Sequence, residues 1–143
     1  AKACLLGLDD QNTGTNNILR SAVEGVTYGL KYGLGRLADN SVRAEKIILT
    51  GGGAKSDAWR QIVADICDAP VEMHKQEEGA AFGAALQALA MLEETELTSL
   101  IKEHLDRDST RCCEPDPSTV TFYDEAYFQY RQSVEQIASI YGN

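Results

Sequence analysis

The residues best suited to chemistry in this chain are three consecutive glycines, Gly51, Gly52 and Gly53, at the end of the run Lys46-Ile47-Ile48-Leu49-Thr50. Glycine admits positive φ and lets a ligand touch bare backbone. Ser56 stands just beyond, where a helix N-cap would be, and Trp59, Ile62, Val63 and Ile66 follow at helical spacing. A strand, a glycine turn, a cap and a helix together present the unpaired N–H groups of a helix start to a polar or anionic ligand. Ligands of open α/β sheets sit past the carboxyl ends of strands, which is where this loop falls. The arrangement predicts a nucleotide or other small-ligand site. It is neither G-x-x-x-x-G-K-[ST] nor G-x-G-x-x-G, so the Walker loop and the dinucleotide fingerprint are both excluded.

Other candidates carry less. In Leu6-Gly7-Leu8-Asp9-Asp10 followed by Gly14-Thr15, an aspartate and a Gly-Thr pair resemble the phosphate loop G-x-D-x-G-T. The pair lies too far from Asp9, and a helix follows it, so Asp9 and Asp10 are expected to cap or solvate a turn. No nucleophile–base pair is visible. His74 and His104 are isolated among polar residues and read as solvated surface. Glu77 and Glu78 precede an alanine-rich helix, where carboxylates favour the N-terminal dipole. Cys4, Cys67, Cys112 and Cys113 fit no metal spacing, and Cys67 reads as a buried thiol in a reduced, cytoplasmic chain. With no metal cage in view, magnesium would arrive with a nucleotide.

The elements that must position the glycine loop follow from periodicity. Ala3–Leu8 reads as a short strand. Thr13 or Thr15 is placed to cap a helix running to about Ala38, with Leu19, Val23, Val26, Leu30, Leu34 and Leu37 as its apolar face. Gly25, Gly29 and Gly33 share one side of that helix, and their summed propensity cost predicts a stripe on which another element packs closely. Lys46–Thr50 reads as a buried, parallel strand. The helix after Ser56 stops before Pro70, a short strand starts there, and a helix rich in alanine follows from Glu77 with Gly79 and Gly83 four apart. A short helix from Thr95 to Leu105, a charged loop with prolines, and a helix from about Thr119 to Tyr141 complete the pass. Tyr123, Tyr127, Tyr130 and Tyr141 share a stripe of that helix and are expected to pack with their hydroxyls at the rim. Strand–helix alternation gives an α/β class, and no linker divides the chain.

The totals bound the function. The chain has 143 residues, 43% of them hydrophobic, enough for one core. A formal charge of -9 repels phosphate backbones and anionic bilayers, so nucleic acid and membrane surfaces are set aside as partners. The opening residues fall inside an apolar run and read as an interior point of a longer protein.

From Ile48 onward, "ILTGGGAKSDAWRQIVADICDAPVEMHKQEEGAAFGAAL" resembles the carboxy-terminal part of the FGGY carbohydrate kinases. "LRSAVEGVTYGL" is similar to the glycine-bearing helix before that motif, and "YDEAYFQYRQSV" to the closing helix. The resemblance covers nearly the whole chain and implies a partial actin-like, ribonuclease H-like ATPase lobe, with short parallel strands and packed helices. It makes residues 1–143 the incomplete second lobe of a kinase whose first lobe and first strands lie elsewhere. It implies ATP or ADP with Mg2+ in the whole protein, and D-xylulose as the sugar, with gluconate, ribulose or glycerol as alternatives. It places adenosine along Gly51, Gly52, Gly53 and Ala54, with Gly53 beside it. Asp57 stands where some relatives carry an adenine-contacting asparagine, although an ionised aspartate accepts hydrogen bonds and cannot donate them. Gly79, Ala80 and Gly83 would pack the helix at a hinge. The family's catalytic aspartate, sugar ligands and other phosphate loops come before the matched region, so this chain alone is expected to be inactive and to self-associate through uncovered apolar helix faces. The competing reading is a self-contained nucleotide-sensing or scaffolding domain.

Overall fold

The glycine loop is delivered by a strand only two residues long. The computed structural model describes residues 3–75 and 79–141, so Glu77 and Glu78, read above as dipole partners, lie outside the described residues. The order of elements is α1 (Thr15–Ala38), β1 (Ile47–Ile48), α2 (Asp57–Cys67), β2 (Val71–Glu72), α3 (Gly79–Leu92), α4 (Leu97–His104) and α5 (Pro117–Tyr141). The chain forms two compact units. The described part of the first covers residues 3–43, 65–67 and 116–141; the second covers residues 44–64 and 68–115.

The second unit carries the loop. β1 and β2 pair in parallel, Ile47 opposite Val71 and Ile48 opposite Glu72. The ladder is held by Ile47 N–H donating to Pro70 C=O at 2.8 Å and Leu49 N–H to Glu72 C=O at 3.2 Å. The parallel strand is therefore where the sequence places it, but Ile48 is exposed rather than buried. Among the described residues β1 has only β2 as a strand neighbour, so its other edge has no strand partner.

β2 gains a second neighbour from the charged loop. Val71 and Cys113 exchange both backbone hydrogen bonds at 2.9 Å, and Asp108 N–H donates to Met73 C=O at 2.8 Å. The segment read as plain loop is thus pinned as an antiparallel edge. Ala54, Ile62, Val63, Ala64, Ala69, Val71, Met73, Leu86 and Leu100 make the buried core of this unit.

α2 begins as the sequence predicts. Ser56 Oγ accepts from Trp59 N–H at 3.3 Å, and the helix ends with Asp68 in the left-handed region at φ 49°, ahead of Pro70. A non-glycine residue is unusual there, and aspartate is among those that tolerate it best.

In the first unit α1 packs on α5 through an aromatic and polar seam. Tyr28 lies 6.2, 5.9 and 5.2 Å, centroid to centroid, from Tyr123, Tyr127 and Tyr130. Tyr123 Oη donates to Glu24 Oε1 at 2.7 Å and accepts from Arg20 Nη2 at 2.7 Å. The packing role expected of the tyrosine stripe holds for these three, while Tyr141 is exposed. Burial pushes the Tyr28 hydroxyl well above its ordinary pKa, with Glu24 adding to the shift. Burial likewise raises the Cys67 thiol to about 11, against an opposing pull from Lys31. All four cysteines are free.

Four expectations fail here. Ala3–Leu8 is not a strand: Leu5, Leu6 and Leu8 are exposed, and no described residue pairs with them. Neither Thr13 nor Thr15 caps α1; Gly14 is the N-cap, with no side-chain hydrogen bond. The face of α1 marked by Leu19, Val23, Val26, Leu30 and Leu37 is exposed, and the buried residues are Thr27 and Tyr28. Nor does any described element pack closely along the whole glycine stripe. A Cβ built at Gly25 or Gly33 meets nothing within 4 Å, and one at Gly29 meets only Tyr130 Oη, at 4.0 Å. α5 starts slightly earlier than expected, because Asp116 caps it and Pro117 fits the first helical position.

Candidate functional site

Gly51 leaves β1 with φ 85° and ψ -175°, a combination that essentially only glycine adopts. Residues Gly52–Lys55 then make one 3-10 turn, closed by Ala54 N–H donating to Gly51 C=O at 3.2 Å and Ser56 N–H to Gly53 C=O at 3.0 Å. Ser56 reverts to extended backbone and α2 begins. The sequence of events matches the strand–turn–cap–helix pattern read from the residues.

The three glycines serve different ends. A Cβ at Gly51 or Gly52 would meet nothing within 4 Å, so their absent side chains leave open backbone. A Cβ at Gly53 would fall 1.9 Å from the Trp59 ring. Gly53 is thus fixed by the indole beneath it, while its remaining surface stays exposed. Ala54 points its methyl inward and is only 1% exposed, so it offers a ligand backbone at most.

Asp57 opens α2 with its side chain 92% exposed, and its Oδ1 accepts from Arg60 Nη2 at 2.5 Å. Arg60 is 4% exposed and also donates from Nη1 to Ala54 C=O at 2.8 Å. The structure therefore brings Gly51, Gly52, Gly53, Ala54 and Asp57 into one continuous loop and adds Trp59 and Arg60 as its supports. Sequence reasoning gave Trp59 to the inner face and passed over Arg60. The available signal was the three-residue spacing of Asp57 and Arg60, with arginine inside an otherwise apolar helix face.

A shallow pocket opens beside Gly51, lined by Leu49, Thr50, Gly51, Lys55, Met73, His74 and Arg111. It lies at the carboxyl ends of the two parallel strands, where the sheet rule puts ligands. His74 is not the solvated residue expected: it is partly buried, its Nδ1 is 3.3 Å from Asp106 C=O, and its Nε2 is buried without a hydrogen-bond partner among the described residues. Arg111 is held by Asp108 at 2.6 Å and by His74 C=O at 3.3 Å. Hydrogen bonds from Thr110 and from Arg111 keep the Asp108 carboxyl at about 2, well below its ordinary value.

Of the three residues expected at a hinge, Gly79 comes against Thr50, with a Cβ there falling 3.5 Å from the methyl. Ala80 is exposed, and Gly83 is half-buried with space for a Cβ, which would meet nothing within 4 Å. Asp9 makes a local turn, accepting from Gln11 N–H at 2.8 Å and Asn12 N–H at 2.9 Å, as expected of a turn residue. Among the described residues no group of three His, Cys, Asp or Glu side chains is placed to hold a metal ion. No described helix is long and apolar enough to cross a membrane.

Residues 1–92 match the family profile described as the FGGY family of carbohydrate kinases, C-terminal domain. A xylulose kinase of Haemophilus influenzae is 37% identical over 136 residues, covering 95% of this chain and 28% of that protein. A probable L-xylulose kinase of Pasteurella multocida is 29% identical over 131 residues, covering 92% of this chain and 26% of that protein. The chain thus spans little more than a quarter of the length of these relatives. Among solved structures, a ligand-bound xylulose kinase from Lactobacillus acidophilus superposes with a TM-score of 0.88 over 99% of this chain and 28% of that one, at 24% identity. A gluconate kinase from the same organism gives 0.87, with the same coverage and identity. At that identity these two structures speak to the fold alone.

Proposed function

The chain belongs to the FGGY family of carbohydrate kinases, phosphotransferases whose C-terminal domain it matches, and from that premise we infer that it supplies the adenosine subsite of an ATP-dependent sugar kinase. The single observation that carries this reading is the open backbone of Gly51 and Gly52 at the carboxyl rim of a parallel strand pair. The proposed contacts are Gly51, Gly52 and the exposed side of Gly53, with Ala54 offering main chain. Asp57 lies at the rim, where its second carboxylate oxygen can accept from a base amine but cannot donate.

The proposed parent reaction moves the γ-phosphate of ATP to a hydroxyl of D-xylulose. The hydroxyl oxygen forms the new O–P bond, the bond to ADP breaks, and the hydroxyl proton passes to a base outside these residues. The Haemophilus influenzae relative, a xylulose kinase, supports xylulose as the sugar, and gluconate, ribulose or glycerol is the alternative within the family. The described side chains do not fit a resident metal ion, so the proposed Mg2+ would be held by the nucleotide's phosphates. Phosphoryl transfer needs substrate, metal and base positioned together, and these residues supply only one part. The proposed setting is the cytoplasm, where ATP is available.

The purified chain, incubated with ATP, magnesium and D-xylulose, should form no sugar phosphate above the protein-free control; measurable product would contradict its inactivity. The exposed leucines and valines of α1 lead us to expect self-association, seen as a sedimentation coefficient that rises with concentration. A compact monomer that binds ADP tightly would instead favour a self-contained sensing domain.

A further inference from the structure

We propose that Arg60 is a positioning residue for the nucleotide, holding the loop from Gly51 to Asp57 in the shape that receives a nucleoside. The proposal rests on the adenosine reading given above.

Arginine is almost never fully buried unless paired, yet Arg60 is 4% exposed. Its guanidinium spans the turn. Nη1 reaches Ala54 C=O at 2.8 Å, in the middle of the 3-10 turn, and Nη2 reaches Asp57 Oδ1 at 2.5 Å, on the first residue of α2. Its own N–H donates to Ser56 C=O at 3.0 Å. The guanidinium therefore ties the middle of the turn to the start of α2, while the backbone N–H makes the helix's ordinary first-turn bond. Trp59, its neighbour in sequence, holds the ascending half by lying in the space of the Gly53 Cβ.

The two contacts of the fork are unequal. Asp57 is 92% exposed, so water can replace that partner and the ion pair contributes little. Ala54 is buried, and without Arg60 its carbonyl loses a hydrogen bond that water does not readily restore. The Ala54 contact is the one that fixes the turn. Lysine, a single point charge on a flexible stem, can reach one acceptor but lacks the rigid planar fork that aims Nη1 at Ala54 C=O, so it should hold the turn less well. A buried arginine that only filled space would show no such pattern; its loss would loosen helix and loop alike.

Amide hydrogen exchange on the whole chain separates the two cases. In Arg60→Met, the Ala54 and Ser56 amides, which close the turn, should exchange at least ten-fold faster, with Val63–Ile66 in α2 unchanged. Arg60→Lys should fall between Arg60→Met and the parent, and Asp57→Asn should stay close to the parent. Equal acceleration in the turn and in α2, or none in either, overturns the proposal.

The chain has one tryptophan, Trp59, lying against the loop, so its fluorescence reports directly on ADP at this site. The parent should respond to ADP, and Arg60→Met should need at least five-fold more. An unchanged midpoint in Arg60→Met overturns the nucleotide role of Arg60. No response from the parent at millimolar ADP removes the adenosine reading and the nucleotide role with it, and the exchange pattern then decides on its own whether Arg60 shapes the loop.

Discussion

Gly51–Gly53 and the α1 stripe of Gly25, Gly29 and Gly33 are both bare backbone, and the protein treats them differently. In the loop, one glycine holds a positive φ of 85° and another has an indole ring in the place of its Cβ. Around it the second unit buries Ile62, Val63, Val71 and Leu100, all at or below 4% exposure. In α1, Gly25 and Gly33 face open space and the apolar stripe on the same helix is exposed. The loop's shape is determined by residues within its own unit. The α1 face has the composition of a buried surface and nothing in the described chain to bury it. Local completeness at the loop and incompleteness on α1 are what a domain covering little more than a quarter of its relatives would show.

Substitutions can break this contrast, and the largest effect belongs to the core. Ile62→Ala should cost about 2–5 kcal/mol by cavity formation, whereas Leu19→Ala on the exposed face should change stability by no more than about 0.5 kcal/mol. Denaturant titration of both, at concentrations too low for self-association, checks the contrast; equal costs under those conditions would contradict the exposure of the α1 face in the single chain.

The glycines give the next step down. Gly53→Ala drives a methyl into Trp59 and should cost about 1–3 kcal/mol as overpacking. Gly51→Ala should cost about 1–3 kcal/mol through backbone strain alone. Gly25→Ala and Gly33→Ala should each stabilise the chain by about 0.5–1 kcal/mol, because helix propensity improves and nothing is displaced. Thermal melts would show the opposite signs directly. Destabilisation by Gly25→Ala would reveal an element packed on the stripe after all.

The smallest effect is electrostatic. Asp108 is held at about 2 by Thr110 and Arg111, below its ordinary 3.8. A carboxylate with a depressed folded-state pKa contributes stability above its unfolded value and loses it as pH falls towards the folded one. Asp108→Asn should therefore flatten the loss of stability between about pH 4 and pH 2, within the unit that carries the loop. An unaltered acid profile would show that the Asp108 contacts add nothing to folding.

Much of this was legible in the residues. The helix periods fixed α1, α2 and α5 closely, and Ser56 marked the start of α2 because a cap is a local event. Pro70 marked the end of that helix for the same reason. Burial was not legible on α1, since periodicity names an apolar face but not what covers it; Leu19 and Val26 are exposed on a helix that is otherwise as expected. The antiparallel edge at Cys113 escaped because it depends on a partner strand far along the chain, and the charges and prolines around it signal only a turn. At the site, Gly51–Gly53 announced bare backbone. The division of labour among them depends on where the Trp59 ring falls, which only coordinates supply. Arg60 was missed because an arginine on a helix usually faces solvent.

The central claim is that Gly51, Gly52 and the exposed side of Gly53 receive an adenine nucleoside. Its most direct test is amide chemical-shift mapping of the isotopically labelled chain titrated with ADP. Shifts should concentrate from Thr50 to Asp57, with the α1 and α5 amides still. Shifts clustered anywhere else, or none at millimolar ADP, would contradict it.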